Sequence, residues 1–268
     1  MSTLTSEQFG RIADTAHRLW GLSLPERKIQ LVSSRMGRFL RNRPFASVDA
    51  YLQHLETRAS DEEKLEFFDV LSTNTTSFFR ERGAFDWLER ELWTPLSRGT
   101  LTVPGRRIRI WSAACSTGQE PYSIGIHMKQ HLAGEWNARI LATDLARSVL
   151  LAAKRGVYDA EAMASVPEDL RRRWFVQSRD RWQISREIRS LVSFRMTNLV
   201  EPFRFRGPFD VIFCRNVMIY FDRETRADIV GRLGALLRPG GALILGSSES
   251  LSGIESDLRP VQPSVYVR

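Results

Sequence analysis

The sequence predicts an α/β protein, a doubly wound, Rossmann-like sheet with a small antiparallel β insertion, preceded by an all-helical domain. Three observations carry this. Ile108 to Pro121 reads as a buried strand, a tight turn of small residues and a helix with Pro121 in its first turn. Strand-like runs then recur between helical segments, and polar residues stand at their ends: Asp144, Asn198 and Asn216. Residues 1–72 hold no such run, only helical apolar spacing opened by capping patterns.

At 268 residues the chain has room for two units. No run approaches the roughly 18 apolar residues of a membrane span, and the polar N-terminus lacks the features of a signal peptide. A cytoplasmic protein is expected. Cys115 and Cys214 each end an apolar run without metal-ligand or redox spacing, which predicts two buried thiols and no metal site. A net charge of +8 favours an acidic partner, nucleic acid or an acidic protein surface, without choosing between them.

In the helical domain, Thr5-x-x-Gln8 and Ser60-x-x-Glu63 are capping boxes, and Pro25 and Ser47 open two further helices. The second helix, Pro25 to about Asn42, sets Ile29, Val32, Met36, Phe39 and Leu40 on one arc. Arg27, Lys28, Arg35, Arg38 and Arg41 fall on the other side, offset only by Glu26. A solvating face normally mixes both signs, so this one suits docking against an acidic partner.

Residues 73–106 read as a linker and lid. Thr73 to Glu81 is dense in side chains that bond backbone groups locally. Asn74, Thr76 and Arg80 form a polar set there beside Phe78 and Phe79, which could anchor the segment and close a pocket. A helix from about Ala84 to Trp93 follows, and Pro95 to Arg106 reads as a loop.

Residues 107–268 carry the wound pattern. The turn after the first strand has a single glycine, Gly118, so it is not the G-x-G-x-x-G signature and a diphosphate ligand is disfavoured. Glu120 stands where a phosphate would dock, which suits a cofactor that is cationic there, such as the ammonium and sulfonium of S-adenosylmethionine. Asp144 ends the second strand, where a carboxylate can take both hydroxyls of a ribose; the alternative is a cap for the helix starting near Arg147. An insertion at about 156–191 holds a helix, Pro167 to Trp174, and a hairpin of Trp174–Val176 and Trp182–Ile184 around Gln177 to Arg181. Strands Leu191–Met196, Phe209–Cys214, Ala242–Leu245 and Ser264–Val267 follow, with a helix at Arg223–Leu237 and a turn at Pro239–Gly241. Glu120, Asp144, Asn198 and Asn216 should line one crevice, because parallel strands end on one edge of their sheet.

These residues resemble a known family. Thr-Asn-Thr-Thr-Ser-Phe-Phe-Arg-Glu, Ser-Thr-Gly-Gln-Glu-Pro-Tyr-Ser, Ala-Thr-Asp, Thr-Asn-Leu and Phe-Cys-Arg-Asn-Val-Met-Ile-Tyr-Phe, together spanning nearly the whole chain, are similar to the CheR family of chemotaxis receptor methyltransferases. The resemblance implies a class I S-adenosylmethionine-dependent methyltransferase domain behind the helical one. It also implies methyl esters made on glutamates of a chemoreceptor's cytoplasmic helices, with S-adenosyl-L-homocysteine as product. By motif, Asn74, Thr76 and Arg80 would reach the cofactor, Arg80 near its carboxylate. Glu120 and Asp144 would hold its amino-acid part and ribose, Asn198 and Leu199 would flank the adenine, and Asn216 and Val217 would lie along the methionyl side. Tyr220 would stand near the transferable methyl, and the arginine face of the second helix would meet the receptor. Ala146 departs from the family, which often repeats an acid after Asp144.

Two rivals are weaker. A nucleic-acid methyltransferase lacks its usual marks here: no Asn/Asp-Pro-Pro-aromatic run, and Cys214 is followed by Arg215-Asn216 rather than preceded by proline. A noncatalytic adaptor would show a lost polar site, yet every motif residue is present. The resemblance also implies that some family members add a receptor's C-terminal peptide to the insertion through a longer, glycine-containing loop; Gln177 to Arg181 is short and lacks glycine, so independence of such a tether is expected, and, separately, a monomer.

Overall fold

The computed structural model describes residues 3–268. Four helices open the chain: α1 (Ser6–Trp20), α2 (Ile29–Leu40, after a 3-10 turn at Glu26–Lys28), α3 (Val48–Thr57) and α4 (Asp61–Leu71). Their starts follow from local chemistry. Thr5 and Ser60 accept from the third helical N–H while Gln8 and Glu63 reach back to the cap nitrogen, and Ser47 caps α3. Gly21 ends α1 at φ 67°, a left-handed turn that glycine takes without strain.

The linker then leads into one longer helical stretch than the sequence predicts. It comprises α5 (Gly83–Leu88), a π-helical turn (Glu89–Trp93) and α6 (Thr94–Arg98). Pro95 does not break it, because a proline in a helix's first turn removes an N–H that would lack a partner anyway. The loop expected from Pro95 begins instead at Gly99.

A seven-stranded sheet follows in the order β6-β2-β1-β7-β8-β10-β9. Its strands are β1 (Arg107–Ala113), β2 (Asn137–Asp144), β6 (Val192–Met196), β7 (Phe209–Cys214), β8 (Leu237–Leu245), β9 (Arg259–Gln262) and β10 (Val265–Val267). The first five run parallel, and β10 lies antiparallel between β8 and β9. The turn expected at Pro239–Gly241 survives as a bulge inside β8, where the register with β7 shifts. Helices α7 (Gln119–His131), α8 (Arg147–Arg155) and α12 (Arg223–Leu236) make the crossovers.

The insertion holds α9 (Ala160–Met163), α10 (Glu168–Trp174), α11 (Arg186–Arg189) and a second sheet. To the expected hairpin, β4 (Phe175–Ser178) and β5 (Arg181–Ile184), it adds β3 (Val157–Tyr158), in the order β3-β5-β4. Phe78 from the linker packs edge-on against Tyr158 and Phe175 of this sheet and is almost fully buried.

Two large apolar clusters make up most of the core, with a small third one at Cys115, Ala142 and Leu150. One runs from Phe9, Trp20, Met36 and Phe67 of the helical domain, through Val149 of α8 and Ile229 and Leu233 of α12, into Trp111, Ile212 and Leu243 of the sheet, so the apolar core is continuous across that junction. The other joins the linker helices and the insertion to the opposite face. Polar contacts reinforce the first junction: His17 Nε2 lies 2.7 Å from Asp222 Oδ2, and Ser23 N donates to the Tyr220 carbonyl at 2.7 Å.

Candidate active site

At the carboxyl ends of β1, β2 and β7, and just past β6, lies an open cavity of about 1160 Å³, mouth included. The sheet supplies one wall, Ser72–Ser77 and Arg80 of the linker the roof, and the helical domain the remainder. All the residues expected around the cofactor line it, from Asn74 in the linker to Val217 after β7, and so does Tyr220. Of the five cations assigned to docking, only Lys28 is among them.

The backbone around this cavity is unusual. Phe79, Glu81, Ala114, Ser116 and Asn216 are five of the eight non-glycine residues with positive φ among the described residues. For Phe and Ala such a conformation is strained, and strain of this kind gathers where surrounding structure must aim particular groups. One consequence is that Ser116 N points at Asp144 Oδ2, 2.8 Å away, while Ala146 N donates to Oδ1 at 3.0 Å. The helix-capping alternative for Asp144 is therefore partly real, yet each oxygen keeps a lone pair for a ligand hydroxyl. Burial raises this carboxyl above its usual range, against the pull of the N–H groups of Ala146, Ser116 and Leu145.

Glu120 sits in a network that the motif reading missed. Ser112 Oγ donates to its Oε1 at 2.7 Å, and Arg215 Nη1 approaches its Oε2 at 3.1 Å. The Arg215 side chain is only 2% exposed; it also pairs with Glu81 at 3.0 Å and donates to the Arg80 carbonyl at 2.6 Å. One guanidinium thus serves two carboxylates and the linker backbone. Burial lifts the Glu120 carboxyl, with Arg215 opposing. Burial also works against the charge of Glu81, but Asn216, Arg215 and the Ser247 N–H outweigh it and hold that group low. The sequence did contain a signal: an arginine directly following the wholly buried strand β7 must find a partner.

Glu249, also missed, fixes the next turn. Its Oε2 accepts from Asn216 N and Gly246 N, both at 2.8 Å, and Oε1 accepts from Ile219 N at 3.3 Å. A Cβ on Gly246 would come within 2.6 Å of Asn216 Nδ2, so only glycine fits. Asn216 Nδ2 in turn donates to Glu81 Oε1 at 3.1 Å.

Other expected residues are committed differently. Asn198 spends its amide on the Leu19 carbonyl, Glu201 and Val200 N, bonding the strand end to α1. Asn74 Nδ2 donates to Ser72 Oγ, and its carbonyl accepts from Ser116 Oγ, tying linker to turn. Arg80 donates to the Thr75 carbonyl at 2.9 Å with a partly exposed guanidinium that retains free donors. Thr76 lines the cavity beside it.

The cationic face of α2 is split, which corrects its reading as one docking surface. Arg35 reaches across to the carbonyls of Val70, Leu71 and Ser72 at 2.7 to 3.2 Å, satisfying the C-terminus of α4. Lys28 turns into the cavity, its ammonium 4.9 Å from the centroid of the Tyr220 ring. Arg27, Arg38 and Arg41 stay exposed and, among the described residues, outside every ion pair.

Glu89, His127 and His131 come close enough to hold a metal ion. However, Trp93 Nε1 can only donate, and it does so to His127 Nδ1 at 2.9 Å, leaving the proton on Nε2. Burial drives that imidazole down to about 3, so it stays neutral, and the trio is best understood as packing beneath the linker helix.

Comparison with known proteins agrees with this geometry. The family description "CheR methyltransferase, SAM binding domain" matches residues 74–267, and "CheR methyltransferase, all-alpha domain" matches residues 7–72. The chain belongs to the CheR methyltransferase family. It is 40% identical to chemotaxis protein methyltransferase 2 of Pseudomonas aeruginosa, covering 98% of this chain and 93% of that one. It is 34% identical to a chemotaxis protein methyltransferase of Borreliella burgdorferi (98% and 94% covered) and 33% identical to that of Salmonella typhimurium (98% and 90%). The cofactor of this family member is S-adenosylmethionine, and the cavity fits it. Its donor set is of the right chemistry: Asp144 is a buried carboxylate with spare lone pairs for hydroxyls, and Glu120 is a second acid on the same cavity. Among the described residues, no helix is long and apolar enough to cross a membrane.

Proposed function

We propose that this protein methylates glutamate side chains on the cytoplasmic helices of chemoreceptors, giving methyl esters, and that it acts as a cytoplasmic monomer. The observation that carries this reading is the placement of Tyr220, beside Lys28, on a cavity whose strand-end wall is otherwise built for the cofactor. S-adenosylmethionine, when bound, supplies an activated methyl group.

The chain's own groups hold and align. Asp144 takes the ribose hydroxyls, Glu120 the ammonium, and Arg80 the carboxylate of the cofactor, with Asn74 and Thr76 closing over it. Leu199 and the backbone near Asn198 flank the adenine, and Asn216 and Val217 border the methionyl chain. A glutamate carboxylate, with an ordinary pKa of about 4.3, is already the nucleophile at neutral pH. No base is needed, so Tyr220 orients the acceptor instead of removing a proton, and catalysis rests on alignment and on excluding water.

For receptor docking, the exposed arginines Arg27, Arg38 and Arg41 offer cations that, among the described residues, stand outside every ion pair. We place no requirement on a receptor tail: β4 and β5 are joined through Arg179 and Asp180, leaving little backbone to shape a pocket around a bound peptide. Incubation with radiolabelled cofactor and a receptor cytoplasmic fragment, followed by mild alkali, should release volatile methanol from fragments with and without their tail. Label stable to alkali would overturn the ester. Micromolar binding of a tail pentapeptide, or methylation that depends on the tail, would overturn tether independence.

A further inference from the structure

Lys28 is set apart from the rest of its helix. It is half-buried in the cavity wall, above Tyr220, among the apolar side chains of Trp20, Leu22 and Leu24. Its surroundings explain why a cation there is conspicuous: the charges that act on it are Arg27 and Arg35, both positive, and no carboxylate among the described residues answers it. Burial first, then those two arginines, pull its pKa down, so the site tolerates the ammonium without compensating for it. The ring of Tyr220 offers only the weak negative face of an aromatic. Across the cavity, the two terminal nitrogens of Arg215 are committed to Glu81, Glu120 and the Arg80 carbonyl, and only its buried Nε lacks a partner. Lys28 is therefore the cationic group on the Tyr220 side of the cavity with capacity for an incoming anion.

Resting on the reading that the acceptor is a glutamate, we infer that Lys28 is the acceptor-binding counter-ion: its ammonium receives the carboxylate beside Tyr220 and selects it over a neutral carboxamide. The step itself fixes how this should show in kinetics. One carboxylate oxygen forms a bond to the methyl carbon as the S–C bond breaks, the electron pair stays on sulfur, and no proton moves. The acceptor's negative charge disappears along the way. A fixed cation stabilises the charged ground state more than the transition state, so Lys28 should improve binding without raising turnover. This separates it from Tyr220, whose task is alignment.

The test uses the full-length enzyme and a receptor cytoplasmic fragment. Lys28→Met and Lys28→Gln should raise KM for the fragment, and its Kd measured with S-adenosylhomocysteine bound, by about two- to fivefold. The kcat should stay level or rise slightly, and Lys28→Arg should restore most of the binding. Cofactor affinity by calorimetry should not change, which also certifies that the variants fold. The wild-type preference for the fragment over one with its methylated glutamates changed to glutamine should collapse in Lys28→Met, a coupling read as a double-mutant cycle. Because the ammonium is half-buried and in close contact, the effect should persist in about 0.5 M salt, where longer-range attraction is screened.

An unchanged KM and Kd would overturn the inference. So would a fall in kcat alone, which would make Lys28 a mere prop for the Tyr220 ring. A binding defect that vanishes in salt would return Lys28 to the outer docking face. If the wild-type enzyme puts no alkali-labile methyl on the fragment, the fault lies with the proposed substrate and not with Lys28.

Discussion

The strand-end wall of the cavity and the wall supplied by α1, α2 and α4 differ in how their polar groups are satisfied. On the strand side, Asp144, Glu120, Arg215, Glu81 and Glu249 hold one another and the backbone through short bonds, most of them out of water. On the helical side the wall is apolar, with one unanswered ammonium at Lys28 and unpaired arginines beyond it. A group held in a saturated network is already aimed, which suits a ligand that is the same in every turnover. An exposed, unpaired cation stays adaptable and attracts from a distance, which suits a partner protein.

The sharpest way to break that contrast is Arg215→Met. Removing the guanidinium leaves Glu81 and Glu120 together without compensation, and breaking a buried pair in this way costs about 3–5 kcal/mol. Chemical denaturation should show that loss, and calorimetry should show cofactor binding largely abolished. Retained stability would mean that the network is decorative.

Asp144→Asn comes next, expected to weaken cofactor binding by about 10- to 100-fold, the range for a lost charge-assisted hydrogen bond. Unchanged affinity would remove the ribose assignment. The same wall predicts a pH dependence. Asp144 and Glu120 lie above the usual carboxylate range when folded, so the ligand-free fold keeps their protons longer than the unfolded chain does. The stability from those protons is full below the ordinary carboxylate range and is lost as pH rises through the raised values. Cofactor binding needs the charged forms and has the opposite slope: affinity should weaken on acidification before exposed acids titrate, with proton release on binding. Calorimetry in buffers of different ionisation enthalpy measures both.

Where the two walls meet, Tyr220→Phe should lower kcat by about tenfold while leaving cofactor affinity intact, since orientation of an acceptor is worth on the order of 1 kcal/mol per hydrogen bond. A changed cofactor Kd would move Tyr220 to the strand side of the comparison. The smallest effect is expected from Arg38→Glu with Arg41→Glu: a rise of a few-fold in receptor KM, absent at high salt. Arg35 is left out of that pair because reversing it would also uncap α4.

Much of this was legible. Capping boxes at Thr5 and Ser60 placed helix starts because the bonds involved span only three residues. Polar residues ending buried strands marked the crevice, since parallel strands must end on one edge. What escaped is equally specific. β9 contains Pro260, which argues against a strand until β9 is seen to be the edge, where a missing N–H costs no ladder bond. β3 is two residues long and gains its identity only from β5. Glu81, Arg215 and Glu249 lie up to 168 residues apart, and no local pattern announces that they share a site.

The sequence by itself determined the helical domain's elements, the wound order of strands and the list of polar strand ends, because propensity, caps and periodicity act over a few neighbouring residues. Only the tertiary structure decided what each charge does. Five cations on α2 and its flanking residues look equivalent along a helical wheel, yet one caps α4, one enters the cavity and three face outward. The physical reason is that a long cationic side chain goes where an acceptor or an aromatic face lies within reach of its tip, and those partners come from segments folded in from elsewhere in the chain.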